Sequence, residues 1–265
     1  INGDAVILAT GGASYKRTGS DGYGYELAKS AGHTITDIVP SLVPLTAAEK
    51  WCRELMGLSL RNAGVTVSDQ RGKRIFSGLG ELLFTHFGVS GPLVLSASSH
   101  MRRKAAGCVM KIDLKPALTP EQLDARILRD FAERQNKHVI NSLDALLPKA
   151  LIPVVTELSG IEPHKSVNAI TRAERLRLGE VIKGLTLNIT GFRPIDEAII
   201  TSGGVNVKEI DPHTMESRIV SGLYFAGEII DIDGYTGGYN LQAAWSTGHL
   251  AGMSASERSM EEWKK

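Results

Sequence analysis

Two short apolar runs, one near each end of the chain, end in glycines. Residues 5–9 lead into Thr10-Gly11-Gly12, and residues 222–226 lead into Gly227-Glu228. The first run is continuous, which predicts a strand buried on both faces, as in a parallel sheet. Ligands of open α/β sheets bind beyond the carboxyl ends of the strands. The pattern therefore predicts a nucleotide-binding α/β layer that is built from both ends of the chain and interrupted by insertions.

The region between these runs shows two other patterns. Alternating apolar and polar residues from Pro40 to Lys115 predict antiparallel strands, with a hairpin turn at 70–73 and a short helix from Gly91-Pro92. Capping boxes at Thr119–Gln122 and Thr171–Glu174 predict the starts of helices. We therefore expect the nucleotide-binding domain in residues 1–40 and 189–265, a β-rich insert in 41–118 and a helical lobe in 119–188.

Composition narrows the class of protein. The chain has 30 Lys and Arg against 29 Asp and Glu. It therefore lacks the excess of positive charge that would indicate bulk DNA or RNA as a partner. No apolar run approaches the ~18 residues of a membrane helix, and no targeting segment opens the chain. Cys52 and Cys108 stand far apart without a metal-ligand spacing. We expect two buried thiols in a reducing cytoplasm, no metal site, and neither a nucleic-acid nor a membrane partner.

The glycine-rich ends carry the residues suited to a ligand. A carboxylate at Glu228 can accept hydrogen bonds from ribose or ribityl hydroxyls, or it is an acid exposed at a strand end. The loop 234–239 leads into a helix near Asn240, whose free N–H groups favour a phosphate or the anionic edge of a reduced flavin. Tyr239 either offers its ring and hydroxyl to a ligand or fills the core. Residues 10–12 either line a ligand or form a tight strand exit.

His86 is the one candidate for proton transfer. It lies in a glycine-flanked segment, and histidine titrates near neutral pH. The alternative is a structural histidine bonded to nearby backbone. The sequence contains no Gly-x-Gly-x-x-Gly, Walker loop, His-Glu-x-x-His or Gly-x-Ser-x-Gly motif.

Five sequence blocks together resemble one family. They are residues 9–12 with 18–22, residues 84–92, Thr201–Val205, Phe225–Glu228 and Gly237–Ala243. The chain resembles, over nearly its whole length, the bacterial YhiN/BaiN-like, aminoacetone-oxidase-like FAD-dependent oxidoreductases. The resemblance implies an α/β fold with a two-dinucleotide-type FAD-binding layer, an inserted β-barrel-like domain and a helical lobe.

The resemblance also implies which residues contact FAD. Gly227 and Glu228 would lie at its ribityl and pyrophosphate part, 238–241 at the isoalloxazine edge, and 10–12 in the adenosine-side crevice. The implied set is Thr10, Gly11, Gly12, Gly227, Glu228, Gly237, Gly238, Tyr239, Asn240 and Leu241.

The family's first strand, its Gly-x-Gly-x-x-Gly turn and its ribose-binding acid have no counterpart here. This predicts an incomplete FAD layer that a missing upstream segment or a homo-oligomer completes. We expect a FAD-dependent oxidoreductase acting on a small molecule, with NAD(P)H as a candidate electron donor. The alternative is a non-catalytic fragment that does not bind FAD alone. A flavoprotein that modifies RNA is disfavoured by the balanced charge.

Overall fold

The computed structural model describes residues 3–101 and 104–262, with side chains up to residue 258. The chain forms two compact units. Unit 1 comprises residues 1–44 and 192–265, and unit 2 comprises residues 45–191. The strands are β1 (Val6–Leu8), β2 (Val39–Ser41), β3 (Leu45–Ala47), β4 (Ser59–Ser68), β5 (Arg74–Thr85), β6 (Gly88–Ser90), β7 (Val109–Asp113), β8 (Leu185–Phe192), β9 (Ile200–Ser202) and β10 (Leu223–Phe225). The helices are α1 (Tyr23–Ser30), α2 (Pro92–Met101), α3 (Pro120–Ala132), α4 (Leu151–Leu158), α5 (Arg172–Lys183) and α6 (Tyr239–Glu262).

Unit 1 contains two small sheets. β1 pairs in parallel with β10, with Ile7 opposite Tyr224, and β2 pairs antiparallel with β9. An apolar core that includes Tyr224 and Phe225 lies between the β1–β10 pair and the helices α1 and α6. Parallel pairing brings the two glycine-terminated runs side by side, so that residues 9–12 and 226–228 leave the sheet at the same end.

The prediction that the first strand is buried on both faces is wrong. Val6 is 56% exposed and Ile7 is 41% exposed. In this two-stranded sheet, Leu8 is the member of β1 that packs against the core of unit 1. An apolar run identifies a strand, but its burial depends on what packs against each face.

Unit 2 contains a closed barrel of six strands in the order β3-β6-β5-β4-β7-β8. The predicted hairpin joins β4 to β5: the Asp69 N–H donates to the Lys73 carbonyl at 2.9 Å, and Gly72 takes a left-handed φ of +78°. The alternation predicted for β7 is present, because Met110 and Ile112 are fully buried. The expected barrel-like insert is therefore confirmed.

The helices α3 to α5 stand in the chain between β7 and β8. Both predicted capping boxes form: the Thr119 hydroxyl accepts from the Gln122 N–H, and the Thr171 hydroxyl from the Glu174 N–H. These helices belong to the same compact unit as the barrel. β8 begins at Leu185, inside the range expected for the lobe, because its pairing with β7 joins it to the barrel.

Both cysteines are free and buried in unit 2. Burial raises the pKa of the Cys52 thiol to about 12 and also raises the pKa of Cys108. Their thiols are therefore protonated at neutral pH. In the described part of the chain, no helix has the length and apolarity to cross a membrane, and no cluster of side chains could ligate a metal.

Candidate functional site

Glu228 joins three separate segments of unit 1. It follows β10 in a short turn, Gly227–Ile229. Its Oε1 atom accepts hydrogen bonds from the Thr201 N–H at 2.7 Å and from the Ser14 hydroxyl at 3.2 Å. The carboxylate thus ties the turn after β10 to strand β9 and to the loop after β1. We call Ser14, Thr201 and Glu228 the carboxylate clamp.

The loop after β1 closes tightly over this clamp. The Thr201 hydroxyl accepts from the backbone N–H groups of Ala13 at 2.8 Å and Ser14 at 3.1 Å. A Cβ atom built on Gly12 would lie 2.5 Å from both Glu228 Oε1 and Thr201 Oγ1. The absence of a side chain at Gly12 therefore makes room for protein atoms of the clamp, so Gly12 has a packing role whether or not a ligand is bound.

The neighbouring predicted residues also have packing roles. Gly11 takes a left-handed φ of +75°, and a Cβ on it would meet the Ser20 hydroxyl at 2.7 Å. Thr10 is exposed, and its hydroxyl occupies the position that a Cβ on Gly24 of α1 would need. Residues 10–12 thus form a tight exit from the strand beside α1.

The second oxygen of Glu228 remains available. Oε2 accepts no hydrogen bond from the described residues, and the side chain is only partly buried. A carboxylate oxygen can accept hydrogen bonds from two donors. Glu228 therefore combines one oxygen that holds the protein together with one that can bind a hydroxyl-bearing ligand.

Tyr25 lies in the core close to the clamp. Its burial, and after that the negative charge of Glu228, raise the pKa of its phenol above the ordinary value. The phenol is therefore neutral at physiological pH and has the character of a donor. The sequence did not identify Tyr25 as part of the site, because its place in the α1 pattern is typical of an ordinary core residue.

The second part of the site is the loop before α6. Gly237 and Gly238 take left-handed φ values of +108° and +93°, and nothing lies within 4 Å of a Cβ built on Gly238. The side chain of Asn240 closes this loop by accepting from the Gly234 N–H at 2.7 Å and donating to the Gly234 and Tyr235 carbonyls. The amide of Asn240 is thus used within the protein. What the loop offers a ligand is its open backbone and the first N–H groups of α6.

Tyr239 and Leu241 stand on the first turn of α6. Tyr239 is 66% exposed, so its ring does not fill the core, and Leu241 is exposed as well. The Gly227 N–H donates to the Thr247 hydroxyl of α6 at 3.0 Å. This bond connects α6 to the turn that carries Glu228. All ten predicted cofactor-binding residues, which are 10–12, 227–228 and 237–241, belong to unit 1.

The sequence did not identify Asp233, or the pair Thr201 and Ser202, as parts of the site. Asp233 accepts hydrogen bonds from the Ser41 hydroxyl at 2.9 Å and the Ser202 hydroxyl at 3.1 Å, which joins β2, β9 and the loop before α6. Thr201 and Ser202 belong to the Thr-Ser-Gly-Gly block, and this block was the one sequence feature that suggested a role for them. The residues to which they hydrogen-bond lie far away along the chain.

His86 lies in unit 2, in the turn between β5 and β6. Its side chain is exposed, and its ring packs edge-on against Phe87 with 4.9 Å between the ring centroids. Its role in proton transfer stays a prediction.

Comparison with known proteins supplies the family. Residues 1–254 match the family model described as "HI0933-like protein Rossmann domain". The chain is 34% identical over 259 residues to the 3-dehydro-bile acid delta(4,6)-reductase of Clostridium scindens, an alignment covering 96% of this chain and 63% of that protein.

Two further relatives carry a different name, ribosomal RNA dihydrouridine synthase. The protein from Haemophilus influenzae is 34% identical over 255 residues, covering 96% of this chain and 60% of the relative. The protein from Escherichia coli is 32% identical over 244 residues, covering 92% and 58%. The chain thus spans 58–63% of the length of these curated relatives. The match over residues 1–254 confirms the family and the Rossmann-type α/β fold expected from the sequence: the chain belongs to the HI0933-like family of flavin-dependent oxidoreductases.

Proposed function

We propose that the whole protein is a FAD-dependent reductase that saturates a carbon–carbon double bond conjugated with a carbonyl group. The names of the relatives support this reaction class. A 3-dehydro-bile acid delta(4,6)-reductase acts on double bonds conjugated with a 3-oxo group, and a dihydrouridine synthase saturates a uracil ring beside its carbonyl. The two substrates differ greatly in size, but the bond that is reduced is of the same kind.

The observation that carries the cofactor part of the proposal is the Oε2 atom of Glu228, which accepts no hydrogen bond from the described residues and belongs to the carboxylate beside the tight loop 10–12. FAD presents ribityl and ribose hydroxyls that can donate to such an oxygen. The open left-handed glycines Gly237 and Gly238 allow backbone to approach a flat ring. The residues of unit 1 therefore fit a flavin.

Bound flavin supplies the hydride for this reaction. Glu228 would hold hydroxyl groups of the cofactor through Oε2, while Oε1 fixes the carboxylate to Thr201 and Ser14. The N–H groups at the start of α6 would stabilise negative charge on the ring edge. Saturation also requires a proton, and His86 is the proposed donor because its side chain is exposed and histidine can act as a general acid. NAD(P)H is the proposed source of electrons.

Two substitutions of Glu228 separate its two roles. In Glu228→Gln the side-chain oxygen can still accept from the Thr201 N–H, but the second oxygen becomes a donor. We expect FAD affinity to fall about tenfold or more, since a hydroxyl group of the bound cofactor loses its acceptor at a cost of about 1 to 3 kcal/mol. Glu228→Ala removes the clamp as well, so it should lower both FAD affinity and the thermal stability of unit 1.

The control is Glu257→Gln, which removes an exposed carboxylate from α6. FAD binding is measured by titration of the full-length protein, followed through flavin fluorescence. Wild-type affinity in Glu228→Gln, or an equal loss in Glu257→Gln, would remove Glu228 from the cofactor site.

The reaction class has its own test. The flavin of the full-length protein is reduced with NADPH under nitrogen, and a 3-oxo-4-ene steroid or a uridine-containing RNA is added. Return of the oxidised flavin absorbance together with a product heavier by two hydrogens supports the proposal. Reoxidation by neither compound, with rapid reoxidation by oxygen alone, contradicts it.

A further inference from the structure

The balanced charge of the chain conceals a strong separation between its two units. Residues 45–191 contain 21 Lys and Arg against 14 Asp and Glu, a formal charge of +7. Residues 1–44 and 192–265 contain 9 against 15, a formal charge of −6. The sum is the +1 of the whole chain. An asymmetry of this size is a physical reason to look for a polyanionic partner of unit 2, even though the whole-chain charge argues against one.

Within unit 2 the excess lies in the barrel region. Residues 45–118 contain 11 Lys and Arg against 5 Asp and Glu, whereas residues 119–188 contain 10 against 9. Six of those ten lobe cations form ion pairs, among them Arg175 with Asp124 at 2.6 Å and Lys165 with Glu174 at 2.7 Å. None of the nine barrel cations in the described ranges forms an ion pair with another described residue: Lys50, Arg53, Arg61, Arg71, Lys73, Arg74, Lys104, Lys111 and Lys115.

The β4–β5 hairpin holds three of these cations on a fixed turn. Asp69 Oδ1 accepts from the backbone N–H groups of Arg71 and Lys73, each at 2.9 Å. The one carboxylate of the turn is therefore engaged with backbone, and the side chains of Arg71, Lys73 and Arg74 are exposed. Gln70 Nε2 donates to the Ala106 carbonyl at 3.3 Å, which ties the turn to the loop that carries Lys104.

The outer face of the adjoining strands continues this surface. Val65, Val67, Met110 and Ile112 point into the barrel, so the alternate residues point outward. On that outer face Lys111 of β7 stands opposite Thr66 of β4, and Thr66 stands opposite Ser77 of β5. Arg74 stands opposite Ser68. Cations and hydroxyl groups thus lie side by side on three neighbouring strands.

We propose that this hairpin face, formed by Arg71, Lys73, Arg74, Lys104 and Lys111 with Thr66, Ser68 and Ser77, binds the sugar–phosphate backbone of RNA. Unpaired, exposed cations on a rigid turn neutralise phosphates and release counterions. The hydroxyl groups between them can exchange hydrogen bonds with phosphate oxygens and 2′-hydroxyls. Residues 69–74 contain no apolar side chain, so the turn lacks the apolar anchors that strengthen binding to a membrane surface. The proposal concerns unit 2 alone and does not depend on the flavin site.

The test compares two triple variants of the full-length protein. The first, Arg71→Gln/Lys73→Gln/Arg74→Gln, removes three positive charges from the hairpin face. The matched control, Lys149→Gln/Arg172→Gln/Arg177→Gln, removes three exposed lobe cations of the same unit that form no ion pair with a described residue. Binding of a fluorescein-labelled RNA stem-loop with uridines in its loop is followed by anisotropy at several salt concentrations. Thermal unfolding verifies that both variants fold.

We expect wild type to bind the stem-loop and the hairpin variant to bind at least about tenfold more weakly, with a salt slope shallower by about two to three. The control variant should keep both the affinity and the slope. Equal losses in the two variants, or absence of saturable binding by wild type, would overturn the proposal. Equally tight binding of duplex DNA or of phosphatidylglycerol vesicles would overturn the assignment to RNA.

Discussion

The two units of this chain are stabilised in different ways. In unit 1 the strands β1, β2, β9 and β10 are three residues long, and side-chain hydrogen bonds connect the loops. Besides the carboxylate clamp, the Thr36 hydroxyl accepts from the Gly204 N–H at 2.9 Å and donates to its carbonyl. In unit 2, β4 and β5 span ten and twelve residues, and a closed ladder of backbone bonds surrounds an apolar interior.

This difference separates the unit that we expect to bind the cofactor from the unit that is stable without it. A barrel whose backbone groups pair with one another is stable without a ligand, since its core side chains such as Leu82 and Phe84 are fully buried. Loops that close through single side chains leave backbone N–H groups and carboxylate oxygens available. Such loops are also the less stable part of a protein. We therefore expect substitutions in the loops of unit 1 to affect both stability and cofactor binding, and comparable substitutions in unit 2 to affect stability without changing cofactor binding.

Gly12→Ala should have the largest effect. Its Cβ would lie 2.5 Å from two atoms of the clamp, so the loop or Glu228 must move. Overpacking together with a broken hydrogen bond should lower the stability of unit 1 by about 3 kcal/mol. Hydrogen exchange followed by mass spectrometry resolves the units: protection should fall in residues 3–44 and 192–258 and remain unchanged in the barrel.

The matched control is Gly179→Ala in α5 of unit 2. Nothing lies within 4 Å of a Cβ built on Gly179, and alanine favours a helix over glycine by about 1 kcal/mol. This variant should stabilise unit 2. Unchanged protection of unit 1 in Gly12→Ala would contradict the idea that the clamp supports that unit.

Gly238→Val should have the next largest effect, and mainly on the cofactor. A β-branched residue at φ +93° is strained by about 1 to 2 kcal/mol, and its side chain would stand in the space that we assign to the flavin ring. Gly57→Val in unit 2 has the same strain, because Gly57 takes φ +86° with nothing within 4 Å of its Cβ. Both variants should lose similar stability, but only Gly238→Val should lose flavin absorbance on gel filtration. Equal flavin retention in the two variants would show that ligand does not approach this loop.

The sequence predicts contacts between residues that are close along the chain better than contacts between distant residues. The capping boxes Thr119–Gln122 and Thr171–Glu174 formed as predicted, because their partners stand three residues apart. The clamp could not be predicted in this way. Ser14 and Glu228 are separated by 214 positions, and only the folded chain shows that Glu228 has one oxygen bonded to protein and one available. The whole-chain charge hides a difference for a related reason, since an average over the two units conceals their opposite signs.

The smallest expected effect concerns the capping box of α5 in unit 2. The Lys165 ammonium, at 2.7 Å, and then the N–H and hydroxyl of Thr171 lower the pKa of Glu174 to about 2. The equivalent box of α3 has Gln122 in this position and therefore no charge. Glu174→Gln makes the two boxes alike: the cap is kept, but the ion pair with Lys165 is lost. Because the pair lies near the surface and is screened, stability at pH 7 should fall by only about 0.5 to 1 kcal/mol.

The pH dependence distinguishes this loss of charge from a loss of capping. The pKa of Glu174 is lower in the folded protein than the value of about 4.3 expected in the unfolded chain. The ionised carboxylate therefore stabilises the fold fully above about pH 4.3, and this stabilisation disappears as the pH falls toward about 2. The difference in unfolding free energy between wild type and Glu174→Gln should therefore be constant from pH 7 to about 5 and shrink below that. Glu180→Gln, on the exposed face of α5, serves as the control for removing one negative charge from the helix. A difference that stayed constant down to pH 2.5, measured by urea unfolding, would assign the effect to the cap and not to the ion pair.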